Sequence, residues 1–300
     1  MPAYALISDI HGNIDALNVV AESIRSDASI KRIVCLGDII GYCPGANEVI
    51  GRLAELEKDY AIQYNLGSHD GVALGQYQFV DLNSETDAET LRAAGLYTDE
   101  AVAEEYFDVE NRRFIPVRPD ARNAMRWTLE HLSPASKEFL EKRLQPRIEI
   151  EPGIISVHGS PRDPIFEYVR DAKSARRCFE SAAMNGVWLC FVGHTHLPVV
   201  WRLERRSLVE MAGHRVCMAP PKPVYMLRMD LQRESALYIA NVGSVGQPRN
   251  RDPRACYMRF SPDERLLEHV FVEYDVAAAA ARIREAGLSE RLAERLRKGE

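Results

Sequence analysis

The stretch Tyr4-Ala5-Leu6-Ile7-Ser8-Asp9-Ile10-His11-Gly12-Asn13 decides how this chain folds. Four apolar residues in a row read as a buried strand, and a turn carrying an aspartate and a histidine follows at once. Ile14, Leu17, Ala21 and Ile24 then recur at helical spacing. The same alternation repeats downstream. Ile33-Val34-Cys35-Leu36 is a second strand, Ala46, Val49, Ile50, Leu53 and Leu56 make a second helix face, and Ala61-Ile62-Gln63-Tyr64 is a third strand. Such alternation predicts a layered α/β architecture.

Farther along, Ala121, Ala124, Met125, Thr128 and Leu129 share a helix face, and Ser133-Pro134 starts another helix with an N-cap and a first-turn proline. Ile154–Val157 is a strand, Asp171 caps a helix expected to reach about Gly186, and a strand over 187–192 follows. Beyond residue 198 the strands Val224–Met229, Ala236–Ala240, Ala255–Phe260 and His269–Tyr274 follow one another without long helices. A C-terminal helix is expected over about 277–298. No repeat or flexible linker interrupts the chain, so one domain over 1–300 is expected.

The chain has 300 residues, 46% of them hydrophobic and 27% charged, as in ordinary globular proteins. The net charge of −6 argues against nonspecific duplex binding, which needs a basic face. No apolar run approaches the ~20 residues that span a bilayer, and the N-terminus lacks the basic n-region of a signal peptide. Six scattered cysteines without a C-x-x-C pair read as reduced, buried thiols, which fits a cytoplasmic protein. The whole acidic excess lies in residues 79–119, which reads as a solvated insertion or as a lid or partner surface.

Five predicted strands end in turns that present histidine or aspartate. They are Asp9-Ile10-His11, Gly37-Asp38, Gly67-Ser68-His69-Asp70, His158-Gly159 and Gly193-His194-Thr195-His196. A core histidine would sit inside an apolar run. These follow the runs, where open α/β sheets place their ligand sites. Imidazole with carboxylate suits zinc, iron, manganese or nickel rather than calcium. Asp38 has two oxygens and can bridge two ions. Two dications against two carboxylates leave positive charge, which favours an anionic substrate. His131, His214 and His269 lie outside these turns and read as structural or surface residues.

In this order the five motifs resemble those of the calcineurin-like metallophosphoesterase superfamily. Two further stretches, His158-Gly159-Ser160-Pro161-Arg162-Asp163-Pro164 and Asn241-Val242-Gly243-Ser244-Val245-Gly246-Gln247-Pro248-Arg249, resemble elements of its small bacterial and archaeal phosphodiesterase branch. The resemblance implies two mixed β-sheets packed as a sandwich and flanked by helices, a four-layer αββα fold. It implies one metal ion on Asp9, His11, Asp38 and His196, and a second on Asp38, Ser68, His158 and His194. It also implies attack on phosphorus by a metal-bridging hydroxide, with His69 binding the phosphoryl oxygen and protonating the leaving group. Arg162 and Arg249 can bind phosphate through bidentate geometry. The substrate it suggests is a small or nucleotide-like phosphodiester.

Two departures from the family pattern stand out. Ser68 occupies the place of an asparagine, and a hydroxyl is a shorter and weaker ligand than an amide oxygen. Ile39-Ile40-Gly41 replaces the aspartate-arginine-glycine of the protein serine/threonine phosphatases. The first departure leaves an alternative reading, a metal-binding scaffold with reduced catalysis. The second speaks against phosphoprotein substrates.

Overall fold

The first strand is buried from end to end because it lies between two sheet neighbours and between two packed layers. The computed structural model describes residues 1–80, 114–204, 215–218 and 226–300. In chain order, the first half holds β1 (Ala3–Ile7), α1 (Ile14–Ser26), β2 (Ile30–Cys35), α2 (Ala46–Leu56), β3 (Ala61–Asn65), α3 (Ser68–Ala73), β4 (Gln78–Val80), β5 (Phe114–Pro116), α4 (Pro119–His131), α5 (Pro134–Arg143) and β6 (Leu144–Gln145). There follow β7 (Arg147–Glu151), β8 (Ile154–Val157), α6 (Ala172–Phe179), β9 (Leu189–Val192), β10 (Val199–Glu204), β11 (Arg215–Met218), β12 (Met226–Asp230), β13 (Ala236–Asn241), β14 (Ala255–Ser261), β15 (Leu266–Val272), α7 (Val276–Glu285) and α8 (Glu290–Lys298).

The strands form two mixed sheets. One has the order β12-β15-β14-β1-β2-β3-β6 and the other β11-β10-β13-β9-β8-β7. β1 runs parallel to β2, with Ile7 opposite Cys35, and antiparallel to β14. Alternate side chains of β1 serve different layers, as strand geometry requires. Ala3, Ala5 and Ile7 join Leu17, Val20, Ile24, Val49 and Leu53 under α1 and α2. Tyr4 and Leu6 point the other way, into a core with Phe191, Tyr238, Ala240 and Phe260 between the sheets. The outer face of the second sheet buries Val157, Cys190, Val192 and Ile239 against Ala175, Cys178 and Phe179 of α6. The result is helices, sheet, sheet, helix, as the motifs implied. Full burial of side chains such as Leu6 and Phe191 contributes ~1.5–3 kcal/mol each.

Two helix boundaries differ from the sequence reading. The helix expected over about 277–298 is two helices, because Gly287 takes a left-handed φ of 70° and the chain turns before Ser289 restarts it. The turn folds α8 back on α7, so that Ala279, Ala280, Ile283, Leu292 and Leu296 pack together with Tyr42 and Ala121. The helix capped by Asp171 stops at Phe179, and a short 3₁₀ turn carries the chain on. Most of the acidic segment, residues 81–113, and His214 lie outside the described residues. The described ends of that segment, β4 and β5, pair in parallel. Cys35, Cys43, Cys178, Cys190 and Cys256 are buried and free. Among the described residues no helix is long and apolar enough to cross a membrane.

Asn13 ties the first motif to the rest. Its side-chain oxygen caps α1 by accepting from Ala16 N at 3.1 Å, and its amide donates to Gly246 O at 2.9 Å. Asn13→Ala removes a cap worth ~1 kcal/mol and leaves a buried carbonyl short of a partner at ~1 kcal/mol or more. A loss near 2 kcal/mol in urea unfolding is expected. A change below 0.5 kcal/mol would show that the cap carries no weight.

Candidate metal centre

The loops after β1, β2, β3, β8 and β9 converge at one end of the sandwich. Each brings polar side chains to a point where the surrounding protein excludes water. Asp9, His11, Asp38, Ser68, His69, His158, His194 and His196 are all buried.

Asp9, His11 and His196 form one group of donor atoms, and Asp38, His158 and His194 form another. His196 Nε2 stands 3.2 Å from Asp9 Oδ1 and 3.3 Å from His11 Nε2. His158 Nε2 stands 3.0 Å from His194 Nδ1. Asp38 lies between the groups. Its Oδ2 is 3.3 Å from His158 Nε2, 3.7 Å from His11 Nε2 and 3.2 Å from Ser68 Oγ. Its Oδ1 accepts from the backbone N–H of His69 at 2.8 Å. One carboxylate oxygen therefore faces both clusters and the other is anchored.

The tautomers follow from the backbone. A carbonyl can only accept, so a ring nitrogen facing one must carry the hydrogen. His11 Nδ1 donates to Ile40 O at 3.1 Å, His158 Nδ1 to Leu36 O at 2.8 Å, His196 Nδ1 to Gln247 O at 2.5 Å and His194 Nε2 to Phe166 O at 3.1 Å. All four rings thus direct their other nitrogen inward, at one another and at two carboxylates. Among the described residues Asp9 Oδ1 has no hydrogen-bond partner. Lone pairs facing lone pairs at about 3 Å repel unless a proton or a metal cation lies among them, and one proton, on His158, does not serve all of these atoms. The donor set therefore fits divalent metal ions, with outer N–H groups fixed in the way ligating histidines require.

The backbone is bent to make this possible. Asp9, His11, Asp38, His194 and His196 all have φ between 50° and 63°, in the left-handed region. Each such non-glycine residue costs roughly 1–3 kcal/mol and persists where the surroundings over-determine it. Asp9 O accepts from Gly246 N and from Ser244 Oγ, and its Oδ2 accepts from His194 N at 3.0 Å. Gly193 carries the second sheet's loop against this carboxylate, and a side chain there would strike Ser8 Oγ.

The electrostatics divide the histidines. Burial tends to raise the Asp9 and Asp38 carboxyls, but His196 beside Asp9 and His158 beside Asp38 hold both well below the usual range. Burial lowers His11 and His196, and His194 to about 3. His158 is the exception. Burial opposes its charge, but Asp38 more than offsets this and raises it to about 9.

His69 sits at the edge of the cluster, with its ring centroid 4.7 Å from that of His11, 4.8 Å from Tyr42 and 4.7 Å from Phe79. Gly41, at φ 97°, leaves the space its ring fills. Burial lowers its pKa to about 4, partly countered by Asp38. His69 lines a cavity of about 550 Å³ together with Asp38, Ser68, His194, Arg162 and Arg249. Arg162 is engaged with Glu167 at 3.5 Å, whereas Arg249 Nη2 contacts the Tyr42 hydroxyl at 3.3 Å.

Several contributors had no assigned role in the sequence reading, although Asp70, Asn241 and Gln247 lie within its motifs. Asp70 accepts from Ile39 N at 3.0 Å and holds the loop that carries Asp38; burial raises its pKa to about 7. Tyr168 stacks on His194 at 4.0 Å. Asn241 donates to Gly193 O, and Gln247 O orients His196, so the Asn241–Arg249 stretch buttresses the metal-side histidines. His269 donates to Asn241 O at 2.8 Å from a buried position, in keeping with a structural residue. His131 is exposed and stacks on Trp127.

Residues 3–198 match the family model of calcineurin-like phosphoesterases. The uncharacterized protein MJ0912 of Methanocaldococcus jannaschii is 30% identical over 293 residues, covering 97% of this chain and 96% of that protein. A metallophosphoesterase from Sphaerobacter thermophilus superimposes with a TM-score of 0.69 at 31% identity, over 100% of this chain and 99% of its own. The hypothetical protein PH1004 of Pyrococcus horikoshii has the same fold, with a TM-score of 0.68 at 19% identity and 99% of its chain covered. The chain belongs to the calcineurin-like phosphoesterase family, a family of phosphate-ester hydrolases. Its buried Asp and His clusters are the metal-binding candidates of that family.

Metal binding should depend on pH through His158. Asp9 and Asp38 are already ionised at pH 7 and the other three rings already neutral, so a ligand proton remains on His158 alone. Its removal is favoured as pH rises toward about 9. Affinity for the second ion should therefore climb about tenfold per pH unit between pH 6.5 and 8.5, with about one proton released per ion bound. Calorimetry in buffers of different ionisation enthalpy reads both quantities. A pH-independent affinity would contradict the assignment.

Proposed function

We propose that the protein hydrolyses small phosphodiesters with two divalent transition-metal ions, manganese, iron, zinc or nickel, held in the paired Asp and His clusters. The observation that carries this reading is the position of Asp38 Oδ2, which faces donors from both clusters at 3.2 to 3.7 Å. Asp9, His11, Asp38 and His196 would hold one ion, and Asp38, Ser68, His158 and His194 the other. When bound, such ions supply Lewis acidity that activates water and neutralises phosphoryl charge.

The remaining steps belong to the chain itself. His69 borders the cavity, neutral at rest, and presents an N–H to a phosphoryl oxygen. An arriving anion raises its proton affinity, which suits it to hold a proton and pass it to the leaving oxygen. Arg249 supplies a fixed positive charge on the far side of Tyr42. A cavity of about 550 Å³ accommodates a small ester rather than a folded phosphoprotein surface. We place the activity in one domain spanning the chain, in the cytoplasm.

Turnover of bis(p-nitrophenyl) phosphate by manganese-loaded protein, with two ions per chain, is the direct test. No turnover despite full loading would favour the scaffold reading instead. His69→Ala should lower kcat by ~10²–10⁴-fold, most for esters with poor leaving groups, with metal content retained. Equal loss for alkyl and nitrophenyl leaving groups would remove the acid role.

Ser68 Oγ already sits on the Asp38 carboxylate, so Ser68→Asn would extend a carbonyl oxygen into the same space. The manganese concentration for half-maximal rate should drop by about tenfold, the scale expected for a ligand or its supporting group. An unchanged metal requirement would show that position 68 does not ligate.

A further inference from the structure

Beside the metal-side cavity lies a second one of about 850 Å³. Tyr42, Tyr168 and Arg249 belong to both. Helix α8 forms part of its wall and contributes Arg295. The turn at Gly287 that splits the C-terminal helix is what brings Arg295 there.

Arg249 and Arg295 lie on either side of Tyr42 and Gln247. Arg249 Nη2 is 3.3 Å from the Tyr42 hydroxyl, and Arg295 Cζ lies 5.6 Å from the centre of the Tyr42 ring. The Gln247 amide separates the two guanidinium groups, 3.3 Å from Arg249 Nη2 and 3.0 Å from the nitrogens of Arg295. Its single oxygen cannot satisfy both. Among the described residues the buried Arg249 Nε has no hydrogen-bond partner. Four other charges of the cavity are paired: Arg291 faces Asp120 at 3.3 Å, and Lys298 faces Glu294 at 3.9 Å. Among the described residues neither Arg249 nor Arg295 forms an ion pair with an Asp or Glu side chain, and Arg295 Nε donates to Glu300 O at 2.8 Å. Burial lowers the Arg295 pKa, and the charge of Arg249 adds to the shift. Two shielded guanidinium groups held close together, neither paired with an acidic side chain, repel each other, and an anion between them relieves both.

We propose that Arg249 and Arg295 form a second anion subsite, which takes a further phosphate group of the substrate while the scissile phosphorus lies at the metal centre. Preferred substrates are then phosphate esters bearing a second phosphate at a short distance. The span is set by Tyr42, whose ring lies 4.6 Å from that of His11 on one side and whose hydroxyl meets Arg249 on the other. Phosphate suits the subsite better than carboxylate, because its oxygens can accept from two guanidinium forks at once. This proposal rests on the phosphoesterase reading of the neighbouring site.

The test compares two ligands that differ only in the second phosphate, 1,4-butanediol bisphosphate and butyl phosphate, bound to manganese-loaded protein and followed by calorimetry. The bisphosphate should bind about tenfold more tightly. Arg295→Gln should erase that advantage and leave the affinity for butyl phosphate within about twofold. If Arg295→Gln fails to fold, the exposed substitution Lys298→Glu serves instead, weakening the bisphosphate several-fold and butyl phosphate little. Equal affinity of the two ligands for the unaltered protein, or equal loss in the variants, would overturn the subsite. Hydrolysis separates the two readings. Selective bisphosphate binding without hydrolysis of any ester upholds the subsite and removes the diesterase reading. Hydrolysis without selectivity does the reverse.

Discussion

The carboxylate of Asp38 is the constraint on which the rest of the site depends. It is buried, it is ionised, and it lies where loops from both sheets meet. A lone carboxylate in such a place would take up a proton rather than remain charged. Here the His69 amide fixes one oxygen, and His158, His11 and Ser68 surround the other. Asp70 in turn holds the backbone that follows Asp38. Removing any of these would leave an unpaired charge, so the two sheets must present their loops together.

That requirement explains where the chain spends conformational energy. Five of the residues around the cluster sit at positive φ, and only dense backbone hydrogen bonding holds them there. The sandwich core supplies the rigidity. Tyr4 and Leu6 of β1 pack against Phe191 and Tyr238 of the opposite sheet, so the loops after β1 and β9 share one foundation. The stretch from Asn241 to Arg249 then braces both loops, through Asn241 on Gly193, Ser244 and Gly246 on Asp9, and Gln247 on His196.

Charge is distributed with equal economy. The chain is acidic as a whole, yet Arg162, Arg170, Arg177 and Arg249 line the metal-side cavity beside Asp163, Glu167 and Asp171. Arg162 is tied to Glu167, while Arg249 is not tied to any described acid. Family resemblance treated the two arginines alike. Their neighbours distinguish them, because an arginine already matched to a carboxylate has less to offer an anion than one without a partner.

The strands, the order of the motifs and the identity of every candidate Asp and His were legible in the sequence, because each motif follows directly on an apolar run. Strand burial and turn chemistry are local, and local patterns survive in a linear text. The break at Gly287 was less visible, since Ala277 to Arg297 keeps helical composition on both sides of it. What tertiary structure alone decided was mutual arrangement. It set Ser68 against Asp38, Tyr168 over His194, Asn241 beneath Gly193, and Arg295 opposite Arg249. Each of these contacts joins residues 26 or more positions apart in the chain through different elements, the Ser68 contact crossing from one strand end to the next. No spacing rule reaches that far, because such distances are fixed by how the layers pack and not by how the residues follow one another.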